Sequence, residues 1–223
     1  MPGGPHRYST VLGVGLALLA LCLAGCSQPG LPRDLHSPDI ERRRAAAATE
    51  VLDATTFAGT PPFVSTSSRT VDTCGVQGGA HQLSFFGDDR HETVCVISTA
   101  WLLSLPHITD PIVAAAATEG LLASQHIPTD GSLQDQPGLS AILGGEAVGV
   151  SNSDSTSSNR VELGDASRLG VTRTLRAVPR RPYGTVISDV GSLSEDSARE
   201  VLASGSRFYV LVELSRQYYS IWE

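Results

Sequence analysis

His81-Gln82-Leu83-Ser84-Phe85-Phe86-Gly87-Asp88-Asp89-Arg90-His91-Glu92-Thr93-Val94-Cys95-Val96 is the stretch from which a fold can be read. Two runs of alternating side chains flank Gly87 to Arg90, a four-residue segment rich in turn formers. Folding the chain about that turn opposes Phe85 to Glu92, Leu83 to Val94 and His81 to Val96. Leu83, Phe85, Val94 and Val96 then share one face, as a half-buried hairpin requires. Cys95 points to the other face. Upstream, Arg69 to Cys74 reads as a strand and Gly75 to Gly79 as a Gly-rich turn. A neighbouring strand can therefore bring Cys74 to Cys95.

Working outward, the stretch has helices on both sides. Ser37-Pro38-Asp39 begins one well: Ser37 offers a cap, Pro38 loses nothing at the first helical position, and Asp39 and Glu41 suit the positive end of the dipole. Ile40, Arg44, Ala47, Val51 and Ala54 recur at helical spacing to about Asp53, with Ala48 and Leu52 widening the stripe. Asp110-Pro111 starts a second helix by the same logic. Ile112 to Gln125 is apolar or small almost all round, which predicts burial on most sides. Leu139 to Leu143 reads as a short helix. Ser151 to Asn159 is a polar stretch, expected to be a mobile loop and the one internal boundary. Val171, Arg173, Leu175 and Ala177 alternate as a strand.

Tyr183 to Val190, Leu193 to Ala203 and Arg207 to Leu214 follow as strand, helix and strand. Ser192 and Glu195 form a capping box, and Gly205 suits the helix exit. Tyr218 to Trp222 reads as a paired strand, because a frayed tail would leave three large rings in water. The fold class expected is α+β: an antiparallel sheet with a disulfide-clamped hairpin, packed against two or three helices in one domain, residues 38–223.

The beginning of the chain has a different character. One positive charge, Arg7, precedes the apolar run Val11 to Leu21, and small residues follow. This is the order of a secretory signal peptide, and the run is too short to span a bilayer as a helix. Leu23-Ala24-Gly25-Cys26 resembles the lipobox of bacterial lipoproteins at every position. The resemblance implies cleavage after residue 25, a diacylglyceryl group on the Cys26 thiol and acylation of the new amine. Residues 26–37 then serve as a tether, holding the domain to the outer face of a plasma membrane. The chain carries sixteen basic residues, all of them Arg. With scarce Asn and abundant Ala and Gly, this resembles the composition that a GC-rich bacterial genome gives, and an actinobacterial source is expected.

Export shapes the reading of the cysteines. Four are present: Cys22 leaves with the leader and Cys26 is the lipid acceptor. Cys74 and Cys95 are left together in an oxidising compartment, where a disulfide is the default. The net charge is −7, and removing the leader with its Arg7 makes the mature chain one unit more negative. Such a balance excludes general nucleic-acid binding. Arg42-Arg43-Arg44 beside the tether, and the Arg-rich segment from 160 to 181, read as solvated or edge-protecting charge.

Chemistry-bearing residues cluster only once. His81, Asp88, Asp89, His91 and Glu92 lie close in sequence, but their spacing matches no metal motif, and the hairpin register sends His81 and His91 to opposite faces. His107, Thr109 and Asp110 read as a loop and a helix cap. No Gly-x-Ser-x-Gly elbow, Cys-x-x-Cys, phosphate loop or dinucleotide fingerprint is present. No catalytic, metal or cofactor residue is therefore assigned. The expected function is a non-catalytic envelope lipoprotein that binds a small molecule, a lipid or an envelope protein. A surface-anchored hydrolase with an unrecognised site is the alternative.

Overall fold

The computed structural model describes residues 35–53, 60–78, 91–144, 147–169, 185–191 and 193–222. In chain order the elements are α1 (Pro38–Asp53), β1 (Val64–Gly78), β2 (His91–Ser104), α2 (Pro111–Ser124), a 3-10 turn (Leu139–Gly144), β3 (Val148–Ser153), β4 (Ser157–Asp165), β5 (Thr185–Gly191), α3 (Glu195–Ala203) and β6 (Phe208–Trp222). The six strands form one sheet in the order β3-β4-β6-β2-β1-β5, and every neighbouring pair is antiparallel. The fold is α+β, as its sequence pattern predicts.

Strict alternation on the two central strands explains the layering. Trp101 and Leu103 of β2, Val161 and Leu163 of β4, and Val210, Val212 and Leu214 of β6 are buried in one cluster. Ile40, Ala47 and Val51 of α1 and Ala114, Leu121 and Leu122 of α2 complete that cluster. The intervening residues, Ala100 and Leu102 of β2 and Tyr209 and Leu211 of β6, form a second core with Ala198 and Val201 of α3. Helices thus cover both faces of the sheet.

The stripe read on α1 is the buried one: Ile40, Ala47 and Val51 are at most 7% exposed. Leu35, which falls within the expected tether, is buried against the same core, so the packed chain begins at or before residue 35. Asp110 caps α2, its carboxylate accepting from the Ile112 and Val113 amides at 2.8 and 3.5 Å. The aromatic end of the chain is paired along β2 as far as Trp222 opposite Glu92.

Several expectations are corrected. The hairpin around Gly87 to Arg90 cannot have the register read from the sequence. Val94 lies between Gly75 of β1 and Ser220 of β6, Val96 between Thr73 and Gln217, and Glu92 between Gln77 and Trp222. Both edges of these residues are taken, which leaves no place for Phe85, Leu83 or His81 beside them. The Gly-rich stretch at 75–78 is strand, and β1 pairs with β2 as far as Gly78 opposite His91. Local alternation was satisfied equally well by the wrong partner. Residues 79–90, including His81, Asp88 and Asp89, lie outside the described residues.

The polar stretch 151–159 is not a loop. Ser151 to Ser153 and Ser157 to Asn159 are paired strand, joined through Asp154 to Thr156. The Asp154 carboxylate accepts from the Thr156 and Ser157 amides at 2.7 and 2.6 Å and from the Ser157 hydroxyl at 2.7 Å. Such Asx chemistry builds a tight turn without apolar residues. Helix α2 is buried along one side only, at Ala114, Ala115, Thr118, Leu121 and Leu122. Ile112 and Val113 are 59% and 52% exposed. An Ala-rich helix carries no stripe of its own, and the sheet selects the side that packs. The cap of α3 is Ser194, whose amide donates to Ser197 Oγ at 3.3 Å, rather than Ser192. Gly205 leaves the helix at φ +72° as expected. The strand expected at Val171 to Ala177 lies outside the described residues.

Cys74 and Cys95 are bonded across β1 and β2, directly opposite one another with Cα atoms 4.1 Å apart. They are 21 residues apart in sequence, and closing such a loop contributes about 3 kcal/mol in the chain-entropy account. The Cys74→Ala/Cys95→Ala variant should lose about that much in urea denaturation. An unchanged midpoint would show that strand pairing alone carries the clamp.

The hydroxyl of Ser157 and the Thr156 and Ser157 amides hold the Asp154 carboxyl down to about 2, from an ordinary 3.8. A depressed folded value stabilises above the unfolded one and is lost as pH falls through the folded one. The contribution of Asp154 is thus complete above pH 3.8 and disappears toward pH 2. Thermal melts between pH 5 and 2 should show a loss in the wild type that Asp154→Asn, whose carboxamide can keep the turn but does not titrate, does not repeat.

Candidate functional site

Two polar constellations lie on the α1 side of the sheet. The first is buried. Asp72 on β1 is 2% exposed and Tyr218 on β6 is 6% exposed. Tyr218 occupies a bulge, since Tyr219 and Gln217 face the consecutive residues Cys95 and Val96, and the extra residue re-aims the strand there. Its hydroxyl donates to Asp72 Oδ1 at 2.8 Å and lies 3.5 Å from Cys74 Sγ. Arg44, the single charged member of the α1 stripe, reaches down from above. Its Nε is 2.9 Å from Asp72 Oδ2, and its Nη1 is 2.6 Å from Glu41 Oε1. The guanidinium carbon sits 5.4 Å from the centre of the Tyr218 ring, within cation–π range.

Burial pushes the Asp72 carboxyl up; the Tyr218 hydrogen bond and the Arg44 charge oppose this and offset only part of it. Burial, with Asp72 alongside, also pushes the Tyr218 hydroxyl up. Tyr218, Asp72 and Arg44 thus join β6, β1 and α1 beside the disulfide. They are a fastening between layers.

The second constellation is open. A cleft of about 390 Å³ lies between the last turns of α1 and the end of α2, with β6 as its floor. Glu50, Ser124, Gln125, His126, Ile127, Leu214 and Arg216 line it. Its volume falls in the range of small-molecule sites. Arg216 is the fixed charge. Its Nη1 donates to Asn159 Oδ1 and to the Ser215 carbonyl, both at 2.9 Å, and its Nε lies 3.5 Å from Glu50 Oε2. Asn159 is 1% exposed and donates from Nδ2 to the Pro128 carbonyl at 3.2 Å. One buried carboxamide therefore ties the floor of the cleft to the loop that walls it.

That wall is a Schellman turn. The His126 amide donates to the Ala123 carbonyl at 3.2 Å and the Ile127 amide to the Leu122 carbonyl at 2.9 Å. The motif places a left-handed residue after the helix, a position glycine usually fills. Here it is His126, at φ +55°. A side chain in that conformation costs about 1 kcal/mol against glycine, though histidine tolerates it better than most.

Ser124, His126 and Glu50 line one cleft, and these are the residue types of a hydrolytic triad. Their partners differ from those of a triad. The Ser124 hydroxyl donates to the Leu121 carbonyl at 2.7 Å, and the Glu50 carboxylate faces Arg216. The arrangement offers a held cation, an imidazole and a short apolar strip.

The structure brings Cys74 and Cys95 together. Asp110 serves as a helix cap, and the Thr109 carbonyl accepts from Arg207 at 3.4 Å. Cys26 and the side chains of His91 and Glu92 lie outside the described residues. Among the described residues no group of three or more His, Cys, Asp or Glu is placed to hold a metal ion. The cleft residues were not singled out from the sequence, because Glu50, His126, Asn159 and Arg216 come from four separate elements. The one available signal was a histidine where a helix exit calls for glycine. No family model, curated protein or solved structure matches this chain.

Removing Arg44 would leave Asp72 buried without its cation, and breaking such a pair costs roughly 3 kcal/mol or more. Arg44→Met should therefore lower stability by about that amount at neutral pH. A carboxyl raised in the folded state withholds stability at high pH and returns it as pH falls through the folded value, completely below the ordinary 3.8. The deficit of Arg44→Met should accordingly shrink on acidification, and Asp72→Asn in the same background should recover part of it at pH 7. Denaturation of the three proteins across pH 7 to 4 checks this, and a deficit independent of pH would contradict it.

Proposed function

We propose that this chain is an envelope lipoprotein whose folded domain binds a small molecule without transforming it. The observation that carries the reading is the pairing of a complete lipobox, Leu23-Ala24-Gly25-Cys26, with an open cleft whose serine and carboxylate, Ser124 and Glu50, are engaged with other partners than the His126 imidazole. Lipidation of Cys26 anchors the domain at the outer face of the membrane, since two or more acyl chains hold firmly where one is marginal. Leu35 is already packed, so at most the eight residues from 27 to 34 separate the core from the anchor, a reach of about 28 Å fully extended. Ligand capture would then take place within a few nanometres of the bilayer.

The disulfide and the fastening between α1 and the sheet suit an exported domain that works without chaperones near at hand. The hydrolase alternative would need the Ser124 hydroxyl released from its helix carbonyl and the His126 imidazole brought against it.

Membrane fractionation and mass spectrometry of wild type and Cys26→Ala test the anchoring. The wild type should be found in the membrane fraction, cleaved before residue 26 and carrying a diacylglyceryl adduct. Cys26→Ala should accumulate as uncleaved precursor or appear in the medium. Normal processing and membrane retention of Cys26→Ala would refute the proposal.

A further inference from the structure

We propose that the cleft is a receptor for a small carboxylate with an apolar tail, with Arg216 and His126 holding the carboxylate and Glu50 acting as an internal competitor for the same cation. The inference rests on the reading of the chain as a binding module and supplies its ligand class.

Three observations carry it. The first is the presentation of Arg216. Both Nη1 protons are consumed by Asn159 Oδ1 and the Ser215 carbonyl, which fixes the plane of the guanidinium. The Nε–Nη2 edge is the remaining two-proton fork, and such forks match carboxylates in bidentate fashion. Asn159, 1% exposed and bonded to the Pro128 carbonyl, is the support that gives the fork its direction. A surface arginine present only for solubility needs no such buried partner.

The second observation is Glu50. Its carboxylate already lies 3.5 Å from Arg216 Nε, so a carboxylate can approach that edge of the guanidinium. Glu50 belongs to α1 and is 65% exposed, hence its side chain can swing into solvent when another carboxylate arrives. An exposed pair of this kind contributes little stability, and displacing it requires correspondingly little. The third is His126, which holds a left-handed backbone at the helix exit where glycine would relieve the strain. Retained strain of this kind at a cleft wall points to use of the side chain, and the imidazole N–H is a second donor for the carboxylate.

Ile127 and Leu214 complete the lining and select for an apolar group beside the charge. A volume of about 390 Å³ admits a short acyl chain or one apolar amino-acid residue. The shared chemistry is a carboxylate next to a compact hydrocarbon, which either a fatty acid or the C-terminus of a peptide could supply.

Isothermal titration of the exported, mature protein with octanoate and with N-acetyl-leucine separates these two sources, with octanamide as the uncharged control. Saturable binding of at least one carboxylate and none of octanamide is expected; whichever carboxylate binds more tightly identifies the source. Arg216→Gln should weaken binding tenfold or more. Glu50→Gln, an exposed substitution that leaves the fold intact, should strengthen it severalfold by removing the competitor. His126→Gly should raise the melting temperature and weaken binding at once, which a merely structural residue would not do. Failure of both carboxylates to bind, or equal binding by octanamide, would overturn the assignment. So would a Glu50→Gln variant that binds more weakly than wild type. None of these results touches the Cys26 anchor, so an anchored protein that binds no carboxylate would refute this ligand class and leave the envelope assignment standing.

Discussion

The covalent bond between Cys74 and Cys95 sets the register of β1 against β2, and β2 lies between β1 and β6 in the centre of the sheet. Side chains alternate with a period of two, so a slip of one residue would turn every side chain of β1 to the other face. With the bond in place, Asp72 and Cys74 face α1 together, and Asp72 meets Arg44 and Tyr218. A slipped β1 would present Val71 and Thr73 to that helix and bury Asp72 against the opposite layer without a partner. The buried carboxylate therefore tolerates one register only, and the disulfide and the ion pair specify the same one.

This redundancy has a thermodynamic logic. Buried ion pairs seldom add net stability, because desolvation offsets their attraction. They do penalise alternatives in which the pair is broken. The disulfide acts on the unfolded chain by removing conformations. Arg44, Asp72 and Tyr218 act on competing folded arrangements. A chain of this size, assembling a sheet whose strands come from both ends of the sequence, benefits from both.

The same sheet face that receives α1 also forms the floor of the cleft. Helices α1 and α2 both pack on it, and the space between their C-terminal ends is where the strand surface stays accessible. Leu214 and Arg216 come from one strand, Glu50 from α1 and His126 from the exit of α2. The cleft is thus a consequence of two helices sharing one sheet face without touching along their full length. Of the polar groups within it, Arg216 is the one fixed in place, by a backbone carbonyl and the buried Asn159 carboxamide.

The starts of α1 and α2, the α1 stripe, the cysteine pair and the paired aromatic end were legible in the sequence, because each rests on a simple rule: capping chemistry, a 3.6-residue period, the pairing of two remaining cysteines and burial. Arg44 stood in that stripe as its one charged member, but with Arg42 and Arg43 it was read as solvated charge; the structure corrects this, since its side chain is 16% exposed and paired with the buried Asp72. Tertiary structure decided that Asp72 and Tyr218 receive it, since they lie 28 and 174 residues further along the chain. It also decided the partner of β2. Alternation at 81–96 satisfied a local hairpin, yet the sheet places β1 and β6 on either side of β2, because pairing of apolar strands is set by the whole layer. The stretch 151–159 carries no apolar period, so its strands became visible only through their neighbours β4 and β6. The cleft and the orientation of Arg216 belong to the same category: a guanidinium is directed by what surrounds it, and for Arg216 those surroundings come from β4, α1 and the exit of α2.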